Sequence, residues 1–186
     1  DPASNEVRET VSARELWQRI LEMRMQTGEP YLVFIDTANK AMPKWLSDKG
    51  LKINGSNLCT EIFLPTNEKR TAVCCLSSLN LEYYDDWKDD KQFILDVMEM
   101  LDNVLQYFID KAPSTIARAK YSAMMERSIG VGTLGFHAFL QKKGVAIDGV
   151  MAKSYNNEIF KHIHSSCLIA DSILEQQRGS CIDAGH

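Results

Sequence analysis

Asn57, Cys59 and Glu61 alternate along the segment Ser56-Asn-Leu-Cys-Thr-Glu-Ile62. In an extended chain alternate side chains share a face, so an amide, a thiol and a carboxylate are expected on one surface, with Leu58, Thr60 and Ile62 on the other. Such a set combines a hydrogen-bonding group, a sulfur centre and an acid/base group at close quarters. The same spacing also fits a half-buried strand with a packed cysteine between two solvated polar residues, because free cysteine is often buried and inert. A second thiol site lies at Cys74-Cys75. Neighbouring Cα atoms are about 3.8 Å apart, below the usual disulfide span of about 4.4–6.8 Å, so these two are not expected to pair with each other. If either cycles between thiol and disulfide, its partner comes from elsewhere. In an extended segment the two point to opposite faces, so at most one looks into the site of Cys59. Core packing is the competing reading for both.

The elements that must position these groups are mixed. From Ser12, apolar residues recur at roughly helical spacing through Leu16, Trp17, Ile20, Leu21, Met23 and Met25, with Ser12 as N-cap and Glu15 completing a capping box. Gly28 and Pro30 end that helix. Tyr31–Ile35 reads as a short buried strand, and residues 36–55 as a long loop of the kind that often carries function. Residues 56–64 read as extended, and Thr71–Leu81 as a second apolar segment forming a hairpin or a neighbouring strand with it. Tyr83–Asp90 reads as an acidic, aromatic surface turn. Lys91–Lys111 is the clearest helix, with Phe93, Val97, Met100, Leu101, Val104, Leu105 and Phe108 on the 3.6-residue period, stopped by Pro113. Further helices are expected over Ser114–Arg127, Phe136–Lys143 and Val150–Arg178, the last ended by Gly179. Helices dominate with short strands between them, which makes the class α/β.

The chain has 186 residues, enough for one domain-sized core. It is 45% hydrophobic and 25% charged, which excludes disordered and low-complexity classes. The formal net charge of −4 argues against a nucleic-acid or anionic-membrane surface. The apolar run at Tyr31 is too short to span a bilayer, and no signal peptide is visible. Five cysteines, an odd number without a disulfide-framework spacing, point to a reducing, cytoplasmic setting. A start at Asp1 and an uncapped end at His186 read as an internal piece of something longer, with residues 1–11 loosely ordered.

Other motifs carry less. Gly130, Gly132 and Gly135 spell a dinucleotide-type pattern, but no matching acidic residue follows in a βαβ unit, and a turn allowing close backbone packing is the stronger reading. His162 and His164 sit two apart in a helix, where they do not share a face, so the pair is a poor chelator; His137 and His186 add nothing at ligand spacing. Cys167 lies mid-helix among apolar neighbours and reads as packing; Cys181 is left open. The aspartates 85, 86, 89 and 90 lack calcium-loop spacing and read as a solvated face. No metal ligand set is expected.

The segment Ser56–Ile62 resembles the finger-loop motif of the class I ribonucleotide reductase large (α) subunit. Glu29-Pro-Tyr-Leu-Val-Phe-Ile-Asp36 resembles the family strand upstream of that loop, and Ala72-Val-Cys-Cys-Leu-Ser-Ser-Leu-Asn-Leu81 the strand that follows it. Arg127-Ser-Ile-Gly-Val-Gly-Thr-Leu-Gly135 resembles its glycine-rich turn. These matches fall in family order and span nearly all the chain after about residue 12. Met151-Ala-Lys and Arg178-Gly-Ser-Cys most resemble bacterial and bacteriophage members.

The resemblance implies a partial ten-stranded α/β barrel with a finger loop, and reduction of ribonucleotides to deoxyribonucleotides by a thiyl radical. Cys59 takes the position of the radical cysteine, Glu61 that of the acid/base and Asn57 that of the amide orienting the ribose; Ser56, Asn57 and Glu61 are the expected substrate contacts. Cys74 matches one of two redox cysteines whose partner lies on an earlier strand, and Cys75 stands where the family often has another residue. The implied partners are a ribonucleoside diphosphate, a small (β) subunit whose metal centre supplies the radical, other α segments or a second α chain, and a thioredoxin or glutaredoxin reductant. No cofactor is expected on this chain itself, since ATP and deoxynucleotide effectors bind family segments outside it. Exposed strand edges would make such a slice aggregation-prone. The alternative is a non-catalytic segment of a split or decayed reductase, kept for subunit contacts.

Overall fold

In the computed structural model, residues 4–184 are described; Asp1 and His186, singled out above, lie outside them. Residues 4–11 carry neither helix nor strand. Helix α1 spans Ala13–Thr27, and the Ser12 hydroxyl accepts from the Glu15 amide as the capping pattern predicts. Gly28 closes it in the left-handed region that glycine adopts without penalty. The helix buries no residue, and Leu16, Trp17, Leu21 and Met25 are exposed.

The next stretch corrects the sequence reading. Tyr31–Ile35 is not a strand: the chain passes into α2, Ile35–Ala41, and then α3, Lys44–Ser47. No strand of the described residues lies beside it, so a ladder would leave its backbone groups unpaired. Phe34 instead starts a helix, its carbonyl accepting from the Ala38 amide, and is 71% exposed. The expected long loop is therefore half helical. Asn39 pins its far end, donating to the Ile53 carbonyl at 2.8 Å and accepting from the Ile53 amide at 2.9 Å. Ile53 itself is buried.

The hairpin expectation also fails. Strand β1, Cys75–Asn80, pairs in parallel with β2, Ile129–Leu134, in the register Cys75 opposite Ile129 through Asn80 opposite Leu134. Residues 56–64 form no strand. Parallel pairing needs a long crossover, supplied here by helices. After β1, a tight 3-10 turn at Leu81–Tyr83 leads to the short α4, Tyr84–Trp87. This corrects the expected surface turn, because Tyr84 and Trp87 are buried. Helix α5, Phe93–Lys111, follows within two residues of its predicted start, and α6, Ala117–Glu126, returns the chain to β2. Then come α7, Phe136–Lys142, and the long α8, Val150–Arg178, ended by Gly179 as expected.

The main core lies where α5 and α8 cross over β1, around Leu79, Leu81, Tyr84, Ile94, Met98, Leu140, Ile159 and Ile163. Tyr84 meets Trp87, Phe139 and His162 edge-on, and its hydroxyl lies 3.1 Å from His162 Nδ1. That histidine is thus satisfied within the fold. Cys167 packs against the same core. A smaller cluster of Leu105, Ile109 and Ala123 sits behind Cys75. The arrangement is a helix-backed slice of parallel sheet, a partial α/β barrel. Among the described residues no helix is long and apolar enough to cross a membrane.

Candidate active site

Between the Asn39 clasp and β1 the chain throws out a finger. Its tip turns at Leu58 and Cys59, and Thr60 takes a left-handed φ of 64°. A β-branched residue rarely adopts that conformation, and such strain persists only where surrounding bonds fix it. Here they do. The Asn57 side-chain oxygen accepts from the amides of Glu61 at 3.1 Å and Ile62 at 3.0 Å, and the Asn57 carbonyl accepts from the Thr60 amide at 3.1 Å. The Asn57 side-chain nitrogen donates to Glu61 Oε1 at 2.6 Å. The amide and the carboxylate meet, as expected, but by a turn folding Glu61 back onto Asn57 rather than by strand alternation. Cys59 stands exposed at the tip, beside Leu58, which is 93% exposed.

Beneath the finger is a cavity of about 340 Å³, shared by Ser56, Asn57, Ile62, Thr66, Cys74 and Leu76. Ser56, Asn57 and Cys74 therefore look into one space, and Glu61 joins them through its bond to Asn57. Cys59 and Glu61 are not on the cavity wall; they rise above it on the turn. Thr66 and Leu76 are wall residues that pattern reading passed over, because only the fold brings them to the finger.

The two adjacent cysteines separate as extended neighbours should. Cys74 faces the cavity; Cys75, the first residue of β1, packs toward Leu105, Ile109 and Ala123. Burial pushes the Cys74 thiol up to about 11, helped by the charges of Cys75 and Glu126. Burial also raises Cys75. Opposite β1, Gly130 leaves room for this packing: a Cβ there would lie 2.3 Å from Leu76 Cδ2 and 3.4 Å from the Cys74 sulfur. The glycine pattern is thus the close-packing device expected, although it forms a strand rather than a turn.

Behind Cys74 lies a buried ion cluster with no local sequence signal. Arg70 grips Asp183 with two bonds of 2.5 and 3.1 Å across 113 residues and reaches Glu126 at 3.2 Å. Asp183 holds the tighter share of that guanidinium. Glu126 keeps a single Arg70 bond and accepts from Ser122 at 3.2 Å and Ser128 at 3.4 Å, and burial outweighs these, raising its carboxyl above the usual range. A second cluster joins Arg127 and Arg178 on Asp102. Cys181, left open above, accepts from the Ala184 amide at 3.3 Å. In the aspartate run, Asp85 is salt-bridged to Lys88 at 2.9 Å and also to Lys143, and these hydrogen bonds hold its carboxyl below the usual range. Among the described residues no group of three or more histidine, cysteine or acidic side chains is placed to hold a metal.

A family model described as the ribonucleotide reductase barrel domain matches residues 2–181. The chain belongs to this family. Among reductase relatives, the ribonucleoside-diphosphate reductase large subunit of Invertebrate iridescent virus 3 is 52% identical over 98% of this chain and 29% of its own length. A putative large subunit of the same kind from Frog virus 3 (isolate Goorha) is 52% identical over 98% of this chain and 33% of its own length. The solved class Id ribonucleotide reductase α subunit of Actinobacillus ureae superposes with a TM-score of 0.86 at 39% identity, covering 91% of this chain and 33% of that one. The chain thus spans about a third of these reductases. The likeness to the two viral proteins is stronger than to this bacterial one, which shifts the bacterial and bacteriophage character read from the sequence.

Proposed function

We propose that this chain forms the finger and redox-thiol portion of a ribonucleoside-diphosphate reductase α subunit. The observation that carries the reading is Asn57, whose one side chain binds Glu61 and also shares a cavity with Cys74. An orienting amide and a reducing thiol thereby line one cavity, with the acid/base bonded to that amide and a second thiol on the turn above.

In the proposed reaction the Cys59 thiyl radical takes the hydrogen atom from C3′ of a ribonucleoside diphosphate, forming S–H and leaving a C3′ radical. S–H and sugar C–H bonds are of similar strength, so the hydrogen can return at the end of the cycle. Glu61 accepts the 3′-hydroxyl proton, and the 2′ oxygen departs as water with a proton from the cysteine pair. Cys74 and its partner cysteine deliver two electrons and end as a disulfide. The high affinity of Cys74 for its proton suits a group that must arrive protonated. Asn57 orients the ribose, and Ser56 lends an acceptor from the cavity wall. The initiating radical comes from the metal centre of a separate small subunit. Thioredoxin or glutaredoxin resets the thiols, and other α segments or a second α chain complete the barrel. The five free thiols support a reducing, cytoplasmic setting.

The test is reductase activity of this chain reassembled with flanking α segments and a cognate small subunit. Cys59→Ser is expected to abolish turnover, and Glu61→Gln to lower kcat by roughly 10²–10⁴-fold. Turnover that survives Cys59→Ser would sink the assignment. Assembly without turnover in the unmutated chain would favour the subunit-contact reading.

A further inference from the structure

We infer that Ser56 is the positioning residue of the finger: its hydroxyl clasps the base of the loop and so fixes Asn57 and Glu61. Ser56 Oγ lies 2.8 Å from the Ile62 carbonyl oxygen and 3.3 Å from Asn57 Oδ1. A serine hydroxyl carries one proton. Asn57 Oδ1 already accepts from the amides of Glu61 and Ile62, which occupy its two lone pairs. The proton therefore goes to Ile62, the shorter contact. The peptide groups of Ile62 are then held on both sides, the N–H by Asn57 and the C=O by Ser56. Everything between, including the strained Thr60 and exposed Cys59, hangs from this base. The bonds described here all lie within residues 56–62, so the finger carries its own scaffold. Ser56 lines the cavity as well, and its oxygen lone pairs remain available there.

The catalytic consequence rests on the roles proposed for Asn57 and Glu61; the geometry does not, and its test uses no turnover. This chain, isotopically labelled and reassembled with the flanking α segments, is examined by NMR without substrate. In the parent, the Asn57 side-chain amide protons are expected to exchange slowly and to be widely separated, as befits a 2.6 Å bond to a carboxylate. Ser56→Ala is expected to collapse that signature and to speed exchange of the Glu61 and Ile62 amides roughly fivefold. Signals outside residues 54–64 should stay in place. Ser56→Thr, which keeps a hydroxyl, should restore both readouts. Unchanged exchange in Ser56→Ala, or a threonine variant no better than alanine, would overturn the inference. Should the alanine variant not fold, the parent alone decides. A slowly exchanging Ser56 hydroxyl, seen as a deuterium isotope splitting on its Cβ, supports the clasp, and an unsplit signal rejects it.

Discussion

Asn57 and Cys74 show how much one side chain's neighbours decide. Both face the same cavity, yet the exposed Cys59 above them is in water while the Cys74 thiol is held near 11 by burial. An ordinary thiol titrates near 9.0, so at neutral pH burial leaves Cys74 with about a hundredfold less thiolate than such a group. The thiolate is the species that alkylates. Iodoacetamide at pH 7.5 is therefore expected to label Cys59 well before Cys74, with the Cys74 rate still climbing as pH rises from 9 toward 11. Peptide mass spectrometry across a pH series reads this directly; equal rates at pH 7.5 would contradict the burial of Cys74. The residue types at 57, 59 and 61 were legible in the sequence as a chemical set. Their geometry was not, because period-two reasoning describes a strand with a partner, and this segment has none. What holds it is an asparagine side chain standing in for the missing ladder.

At the scale of elements, helices with strong apolar periodicity were legible almost to the residue. Helix α8 ends where Gly179 predicts, and α5 begins two residues inside its expected start. The strands were less so. Their pairing joins Cys75 to Ile129 across three intervening α-helices, and no local pattern encodes a partner that distant. The short α4 was missed for a related reason: its acidic residues read as solvent-facing, while Tyr84 and Trp87 on its other side are buried. Gly130 is the more crowded of the two β2 glycines beside β1. A methyl group there meets Leu76 at 2.3 Å, whereas at Gly132 the nearest atom is Ser78 Oγ at 3.1 Å, a small group that can rotate away. Gly130→Ala is expected to cost no more than about 1 kcal/mol of stability, because the half-exposed Leu76 side chain can turn aside, and Gly132→Ala less, measured by urea denaturation. An equal loss in both variants would mean that the Leu76 contact does not set the spacing.

The whole molecule is closed by the Arg70 cluster, which joins the approach to β1, the end of α6 and the residues after α8. Lys49, at the end of α3, adds a bond to the Asp183 carbonyl. Removing one member of a buried ion pair leaves the other charge uncompensated, typically at about 3–5 kcal/mol. Arg70→Ala should accordingly lower unfolding stability by about 3 kcal/mol or more, and Asp183→Asn by less because its amide oxygen still accepts from the guanidinium. A loss under 1 kcal/mol for Arg70→Ala, by chemical denaturation at neutral pH, would show the cluster to be solvated. Nothing in the sequence marks these residues, since each finds its partner only in three dimensions.

The 113-residue separation of Arg70 and Asp183 also sets an order of events during synthesis. A chain emerging from the ribosome exposes Arg70 first, then β1, α5, α6 and β2, and Asp183 only after α8 has been made. Until then the guanidinium has Glu126 but lacks its bidentate carboxylate. The core above β1 can assemble early, yet the segment under Cys74 stays unlatched through most of translation. Nascent-chain proteolysis at successive lengths should accordingly show the region around residue 70 becoming resistant last, once Asp183 has cleared the exit tunnel.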